Sequence, residues 1–167
     1  MKFYAQPYDL AATGFYFENA ESYRSKIGSI RNDYGDPVEE FEIQFIDGEH
    51  IDCALTRAWG INQVNILRFM EIVGEWDEDE KLRFIIAVGE CGYSFDPETV
   101  DPQGFGVDIY EDMSMRDLAE NFVDEGLYGE IPENCRFYID YEAIARDLAF
   151  DYSEAEIAGK QLIYRCE

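Results

Sequence analysis

Acidic residues dominate this chain without removing its capacity to fold. The sequence holds 37 Asp and Glu but only 13 Lys and Arg, which gives a formal net charge of -24 at pH 7. Disordered acidic segments contain few aromatic residues, because they cannot bury enough apolar surface to offset the entropy of the chain. Here 16% of the residues are aromatic and 47% are hydrophobic. The sequence therefore predicts a folded protein with a very negative surface.

The sign of the charge excludes several classes of ligand. A surface this negative repels nucleic-acid phosphates and anionic lipid headgroups. No run approaches the ~18 apolar residues of a membrane span, and the first residues lack the apolar core of a signal peptide. We therefore expect a cytoplasmic protein that binds neither nucleic acid nor membrane directly.

Apolar periodicity predicts an α+β protein made of three small units in series. The N-terminal unit, residues 1–60, is expected to combine an antiparallel sheet with one helix that begins at an Asn19 cap. The middle unit, residues 61–103, is expected to be helical. Asn62 is the expected N-cap of a first helix, whose apolar stripe begins at Val64, and a second helix is expected to start at Asp77.

The C-terminal unit, residues 104–167, is expected to have an α/β organisation. The prolines and glycines over 91–105 indicate a linker before it. Ser114 is the expected N-cap of a helix with apolar residues on one face and charged residues on the other, and Gly126 is expected to end it. A second helix is expected over 138–148, and the residues around Gly159 predict a closing β-hairpin.

The sequence lacks the motifs of common catalytic and metal centres. The single histidine, His50, is expected at the surface, and the four cysteines are too far apart for a zinc or redox motif. No nucleophile elbow, phosphate loop or dinucleotide fingerprint occurs. Carboxylate pairs are numerous, but 37 acids generate such pairs by chance. We expect no enzyme, no cofactor and no bound metal; a pocket of converging acids with a bound metal would support the enzymatic alternative.

Two acidic clusters are candidates for a binding surface. The first precedes a helix, where carboxylates complement the helix dipole, so a solvated helix start and a recognition surface are both open interpretations. An EF-hand calcium loop needs a central glycine that this segment lacks. The cluster consists of Asp77, Glu78, Asp79 and Glu80.

The second acidic cluster lies on the outward face of the helix after Ser114. Asp117, Glu120 and Asp124 are three and four residues apart, and Glu125 follows directly. Like charges at this spacing cost roughly 0.2–0.5 kcal/mol per pair. Because only Arg116 offers local relief, we expect that binding to a partner has shaped this face, and a poorly optimised surface is the alternative.

The total charge has the scale of a short DNA duplex. Duplex DNA carries about one charge per 1.7 Å, so 24 net charges correspond to roughly 40 Å, or about 12 base pairs. A symmetric dimer would present twice that length. A protein surrogate for DNA is therefore physically possible, although an acidic adaptor that binds one basic protein could have the same composition.

A more specific pattern occupies the C-terminal third of the chain. The run GEIP at 129–132 is followed by YIDYEA at 138–143 and ARDL at 145–148. This block resembles the signature region of the ArdA-type antirestriction proteins, a family encoded by mobile elements and phages. Weaker similarity extends to the N-terminal unit, around residues 3–5, 14–16 and 40–43.

The resemblance implies an elongated three-part molecule that forms a homodimer through its third unit and mimics bent B-form DNA. Such a protein occupies the DNA-binding groove of type I restriction–modification enzymes and blocks both cleavage and modification without a cofactor. Its carboxylates pair with Arg and Lys of the enzyme in place of phosphates. The expected DNA-mimic surface comprises Asp77, Glu78, Asp79, Glu80, Asp117, Glu120, Asp124, Glu125 and Glu130.

The signature block also contains candidates for a dimer contact. Arg146, four residues after Glu142 and beside Asp147, is expected to hold these acids together and not to contact a partner. Apolar residues at helical spacing either fill the core of the unit or form part of a seam between two copies, and both interpretations stay open. The residues expected at a possible seam are Tyr138, Ile139, Tyr141 and Ile144.

Overall fold

Two three-stranded antiparallel sheets and a set of short helices make this an α+β protein, as the sequence predicts. The computed structural model describes residues 1–167, which divide into two units, 1–105 and 106–167. The boundary lies two residues beyond the predicted junction at 103, whereas the finer division at residue 60 stays a prediction. Among its helices, none has both the length and the apolar character that a bilayer span requires.

The first sheet has β1 (Lys2–Pro7) at its centre, between β2 (Phe15–Phe17) and β3 (Phe41–Asp47). Alternate residues of β1 are buried, and the fully buried Phe3 stacks against Phe17 with ring centroids 5.4 Å apart. This alternation places one face of the strand in the core, because successive side chains of a strand point to opposite faces.

Two helices accompany this sheet. Asn19 caps α1 (Ala20–Ile27), as predicted: its side chain accepts a hydrogen bond from the Ser22 amide at 2.8 Å. The second, α2 (His50–Trp59), was not predicted. Its apolar residues at helical spacing are buried, and His50 is exposed at its first position.

Asn62 does not cap the next helix, contrary to the prediction. Its side chain accepts hydrogen bonds from the amides of Val64 and Asn65 at 2.9 and 3.2 Å, so it closes a turn before α3 (Ile66–Val73). Short polar side chains commonly bond to backbone amides in this way. Val64, expected on the apolar stripe, is therefore 93% exposed.

Asp77 caps α4 (Glu78–Phe84), as predicted, and the chain continues in a π-helical turn, Ile85–Glu90. The segment after it is not an open linker, because Phe95 packs against Trp59 and Phe84 at 4.8 Å between ring centroids. This packing places the segment, including a short 3₁₀ turn at Pro102–Gly104, within the first unit.

The second sheet has the strand order β4 (Val107–Glu111), β6 (Lys160–Cys166), β5 (Ser153–Ile157). The predicted hairpin is confirmed, with β5 and β6 joined at Ala158 and Gly159. Both turn residues have positive φ, 55° and 85°, as a tight turn between twisted antiparallel strands requires.

Two helices cover this sheet. Ser114 caps α5 (Met115–Asp124), and Gly126, at φ +78°, follows its end, as the sequence predicts. The helix expected over 138–148 is shorter: a 3₁₀ helix, Glu133–Tyr138, precedes α6 (Tyr141–Leu148). The two helices and the sheet share a core that includes Leu118, Phe122, Ala145, Leu148 and Ile163.

Candidate functional site

The start of α5 fixes the first predicted acid of the second cluster. Asp117 accepts hydrogen bonds from the Ser114 hydroxyl at 2.6 Å and from the Ser114 amide at 2.8 Å. These bonds, the one from the hydroxyl first, lower the pKa of Asp117, because they favour the ionised carboxylate. Because its pKa is lowered, Asp117 keeps its negative charge to a lower pH than an ordinary Asp. Its side chain is exposed, so this charge faces solvent.

Glu120, one turn further along α5, shares its charge with an arginine. Arg116 contacts Glu120 at 3.0 Å and Glu142 of α6 at 2.8 Å. Its hydrogen bonds to these two carboxylates raise the pKa of the Arg116 guanidinium. Arg116 therefore offsets part of the repulsion between the acids of α5, as predicted, and it also pairs with an acid on a different helix.

Asp124, at the end of α5, also has a cationic partner. Arg136 of the 3₁₀ helix pairs with Asp124 and lies 3.5 Å from Glu133. The hydrogen bond to Asp124 raises the pKa of the Arg136 guanidinium. The sequence did not predict this contact, because Arg136 lies outside the helix that carries Asp124.

Glu125 and Glu130 are the least compensated of the predicted acids in this unit. Both are exposed and neither forms an ion pair. They line one groove of about 470 Å³ together with Asp124 and Arg136. The structure therefore places the end of α5 and the start of the signature block on one surface.

The first acidic cluster belongs to the other unit and serves helix capping. The Asp77 side chain accepts a hydrogen bond from the Glu80 amide, and the Glu80 side chain accepts one from the Asp77 amide, both at 2.9 Å. Glu78 and Asp79 are exposed in the first turn. The helix-start interpretation is thus confirmed, and a recognition role for these acids stays a prediction.

Most of the uncompensated charge of the second unit lies on acids that the sequence prediction did not select. Residues 106–167 hold 16 acids and 5 bases. Three of the predicted acids and six others are exposed and form no ion pair. The alternation of acids along β5 was the available signal for two of them. The nine are Asp112, Asp117, Glu125, Glu130, Asp140, Asp147, Asp151, Glu154 and Glu156.

Arg146 does not hold acids together, contrary to the prediction. It is exposed and forms no ion pair. Glu142, its expected partner four residues earlier, contacts Arg116 instead. The guanidinium of Arg116 reaches Glu142 from a neighbouring helix, a proximity that sequence spacing along α6 does not reveal.

The apolar residues of the signature block divide between core and surface. Ala145 and Leu148 are buried, and Ile144 packs against the same core. Tyr138 is 87% exposed, whereas Ile139 and Tyr141 are half-buried. The predicted seam residues therefore include one fully displayed aromatic ring and three side chains that are partly covered by their own unit.

The chemistry available at these surfaces is ion pairing. In the 167 residues, no group of three or more His, Cys, Asp or Glu side chains is arranged to hold a metal ion. Exposed carboxylates accept charge-assisted hydrogen bonds from Arg and Lys. A partner with a cationic surface is the ligand that this arrangement fits.

Comparison with known proteins agrees with this chemistry. Residues 10–159 match the family model described as Antirestriction protein (ArdA). No curated protein sequence gives a significant match. The matched region begins in the first unit and includes α5, α6, the signature block and β5. On the strength of this match over most of its length, the chain belongs to the ArdA family of antirestriction proteins.

Proposed function

We propose that this protein is a DNA mimic that competitively blocks the DNA-binding groove of a type I restriction–modification enzyme. Family membership supports an antirestriction role, and members of the family act as inhibitors and not as enzymes. The observation that carries the proposal is the set of nine exposed carboxylates without ion pairs in a unit of 62 residues.

Competition follows from the charge of a DNA-binding groove. Such a groove presents Lys and Arg to the phosphates, and these contacts supply much of the affinity. Carboxylates bind the same cations through charge-assisted hydrogen bonds. When this protein fills the groove, the Lys and Arg side chains are no longer available to DNA. Restriction and modification are therefore both inhibited, and no cofactor is required.

The predicted acids contribute to this surface in two ways. Asp117, Glu125 and Glu130 offer full negative charges to the enzyme. Glu120 and Asp124 are held by Arg116 and Arg136, which reduces their net charge but fixes their positions before binding. The acids Asp77, Glu78, Asp79 and Glu80 extend the mimic to the first unit.

A homodimer would double the length of this surface. Tyr138 is the exposed aromatic residue at the proposed seam, and Ile139, Tyr141 and Ile144 contribute their uncovered parts. Aromatic residues are enriched at the centres of protein interfaces because they bury a large area at a small entropic cost.

A competition measurement tests the proposal. A type I enzyme is incubated with a fluorescent duplex that contains its recognition sequence, and this protein is added in increasing amounts. We expect the apparent Kd of the duplex to rise in proportion to the inhibitor concentration, and both DNA cleavage and methyl transfer to return when DNA is in excess. A ternary complex with the duplex still bound would contradict mimicry and would favour the alternative of an acidic adaptor.

A further inference from the structure

The first sheet leaves one edge open, along β3. The strand order β2, β1, β3 gives this strand a neighbour on one side only. The Tyr8 amide donates a hydrogen bond to the Glu40 carbonyl at 3.2 Å. Because hydrogen-bonded residues alternate along an antiparallel strand, the even-numbered residues of β3 are the ones that bond to β1. Phe41, Ile43 and Phe45 therefore direct their backbone N–H and C=O groups toward the outer edge.

A side-chain amide already occupies the beginning of this edge. Gln63 accepts a hydrogen bond from the Phe41 amide at 2.8 Å and donates one to the Glu39 carbonyl at 2.7 Å. One amide group thus supplies the donor and the acceptor that a neighbouring strand would supply. Beyond Gln63, no strand pairs with the edge groups of Ile43 and Phe45.

A cavity of about 350 Å³ lies beside the open part of the edge. It is lined by Ile43 and Phe45 of β3, by Ile61, and by Cys53, Thr56 and Arg57 of α2, so apolar and polar groups both face it. Its lining contains no carboxylate, which is unusual in a chain with 37 acids. Three other cavities each include at least two carboxylates, namely Glu18 and Glu71; Asp9, Glu39 and Glu40; and Asp124, Glu125 and Glu130.

Arg57 is an uncommitted cation at this cavity. It is exposed and takes part in no ion pair or side-chain hydrogen bond, although acids outnumber bases almost three to one. Arg57 lies in the last turn of α2, where a positive charge complements the helix dipole. This position explains the positive charge, but it does not engage the N–H donors of the guanidinium. A guanidinium offers five N–H donors in a geometry that matches a carboxylate.

We propose that the edge of β3 and this cavity together bind an extended peptide that ends in a carboxylate. The peptide adds to the sheet as a fourth strand and bonds to the edge groups of Ile43 and Phe45. An apolar side chain enters the cavity, and the terminal carboxylate contacts Arg57. Backbone pairing supplies affinity and the pocket supplies selectivity, as in other cases of strand addition. The site uses none of the proposed DNA-mimic acids, so it is independent of the proposed function.

The binding experiment uses the full chain labelled with ¹⁵N and a defined probe. The probe is the tetrapeptide acetyl-Thr-Val-Ile-Val with a free carboxylate, compared with the same peptide as a C-terminal amide. We expect saturable shifts of the Ile43 and Phe45 amide resonances. Because a contact with an exposed guanidinium is lost, we expect the amide form to bind about 2- to 5-fold more weakly. N-methylation of the backbone amides of the peptide should abolish these shifts.

A matched pair of variants assigns the carboxylate contact. Arg57→Gln should remove the difference in affinity between the two peptides. Arg146→Gln is the control, because Arg146 is also exposed, without an ion pair and in the last turn of a helix. This control should keep the difference in full.

Three outcomes would overturn the proposal. The first is the absence of shifts at Ile43 and Phe45 with either peptide at millimolar concentration. The second is a preference for the carboxylate that survives in Arg57→Gln. The third is protection of both amides without peptide that increases with protein concentration and persists in Tyr138→Glu, because the edge would then be occupied by a second copy of the chain.

Discussion

Lys81 and Asp52 form an ion pair of 3.0 Å that is largely shielded from water, with side chains 16% and 8% exposed. The pair joins α4 to α2, so it connects residues on either side of the division predicted at residue 60. Asp52 also lies 3.4 Å from the Glu49 amide at the start of α2. One carboxylate thus serves a helix start and a contact between helices.

Asp52→Asn should destabilise the protein, because it leaves the Lys81 ammonium without a counter-charge in a poorly hydrated position. Removal of one partner from a fully buried pair costs about 3–5 kcal/mol, and the partial exposure of Lys81 reduces the expected loss to roughly 2–3 kcal/mol. Urea unfolding measures the difference. The double variant Asp52→Asn, Lys81→Met should recover most of the loss; equal stability of the single and double variants would contradict a coupled pair.

Neutralisation of the α5 cluster should weaken inhibition of the restriction–modification enzyme. Each exposed charge pair contributes roughly 0.2–1 kcal/mol, so the loss of four should raise the inhibition constant about 4-fold or more and flatten its dependence on salt. Competition with labelled duplex at several salt concentrations measures both. The substitutions are Asp117→Asn, Glu120→Gln, Asp124→Asn and Glu125→Gln.

The control for this cluster removes the same charge from another part of the chain. It replaces four exposed acids that lie outside the proposed surface and form no ion pair. We expect a much smaller effect on inhibition. Equal losses in both variants would show that only total charge matters, and unchanged inhibition by the α5 variant at every salt concentration would contradict the assigned surface. The control substitutions are Asp33→Asn, Asp36→Asn, Glu39→Gln and Glu40→Gln.

Ser114→Ala should weaken α5 and change the response of the protein to acid. Loss of an N-cap hydroxyl costs about 1 kcal/mol. The hydrogen bonds from Ser114 also hold the pKa of Asp117 below its usual 3.8. Because the folded-state pKa is lowered, this contribution to stability is fully present above the unfolded-state pKa and is lost as the pH falls through the folded-state pKa.

Urea unfolding between pH 7 and pH 3 tests this linkage. The unchanged protein should lose more stability than Ser114→Ala as the pH falls below about 4. Ser153→Ala is the control, because Ser153 is exposed and has no hydrogen-bonded carboxylate. Parallel pH profiles for all three proteins would argue against a role of Ser114 in the ionisation of Asp117.

A charge at the proposed dimer seam should separate the subunits. Tyr138→Glu places a carboxylate where we expect apolar contact with a second copy, so sedimentation equilibrium should report a halved mass. Tyr34→Glu is the control at a similarly exposed tyrosine, 83% against 87%, in the other unit. A dimer that persists in Tyr138→Glu, or a monomeric parent protein, would contradict the seam.

Local features of the fold were predictable because they depend on neighbouring residues. Asn19, Asp77 and Ser114 cap helices where the sequence placed them, since a cap requires only a short polar side chain three residues before a free amide. The helix α2 was missed although Ile51 and Leu55 have helical spacing. The polar residues at its start, an acidic turn and the single histidine, are typical of a loop and not of a helix with this apolar spacing.

The state of each acid in the candidate site could not be predicted from spacing along the chain. Arg116 reaches Glu142 across 26 positions, and Arg136 reaches Asp124 across 12, because packing brings separate helices together. Because Glu142 contacts Arg116, Arg146 lacks the partner that spacing within its own helix predicts. Spacing along the chain therefore predicts an acidic surface but not which of its acids keep an uncompensated charge.

By itself the sequence determined the sign and excess of the charge, the α+β class, three of the helix caps and the family. These properties depend on composition and on short-range patterns, which survive without knowledge of the fold. The tertiary structure decided which carboxylates are paired and which are displayed, and it opened the edge of β3 beside Arg57. Ion pairing and edge exposure depend on distances between residues far apart in the chain, and only folding sets those distances.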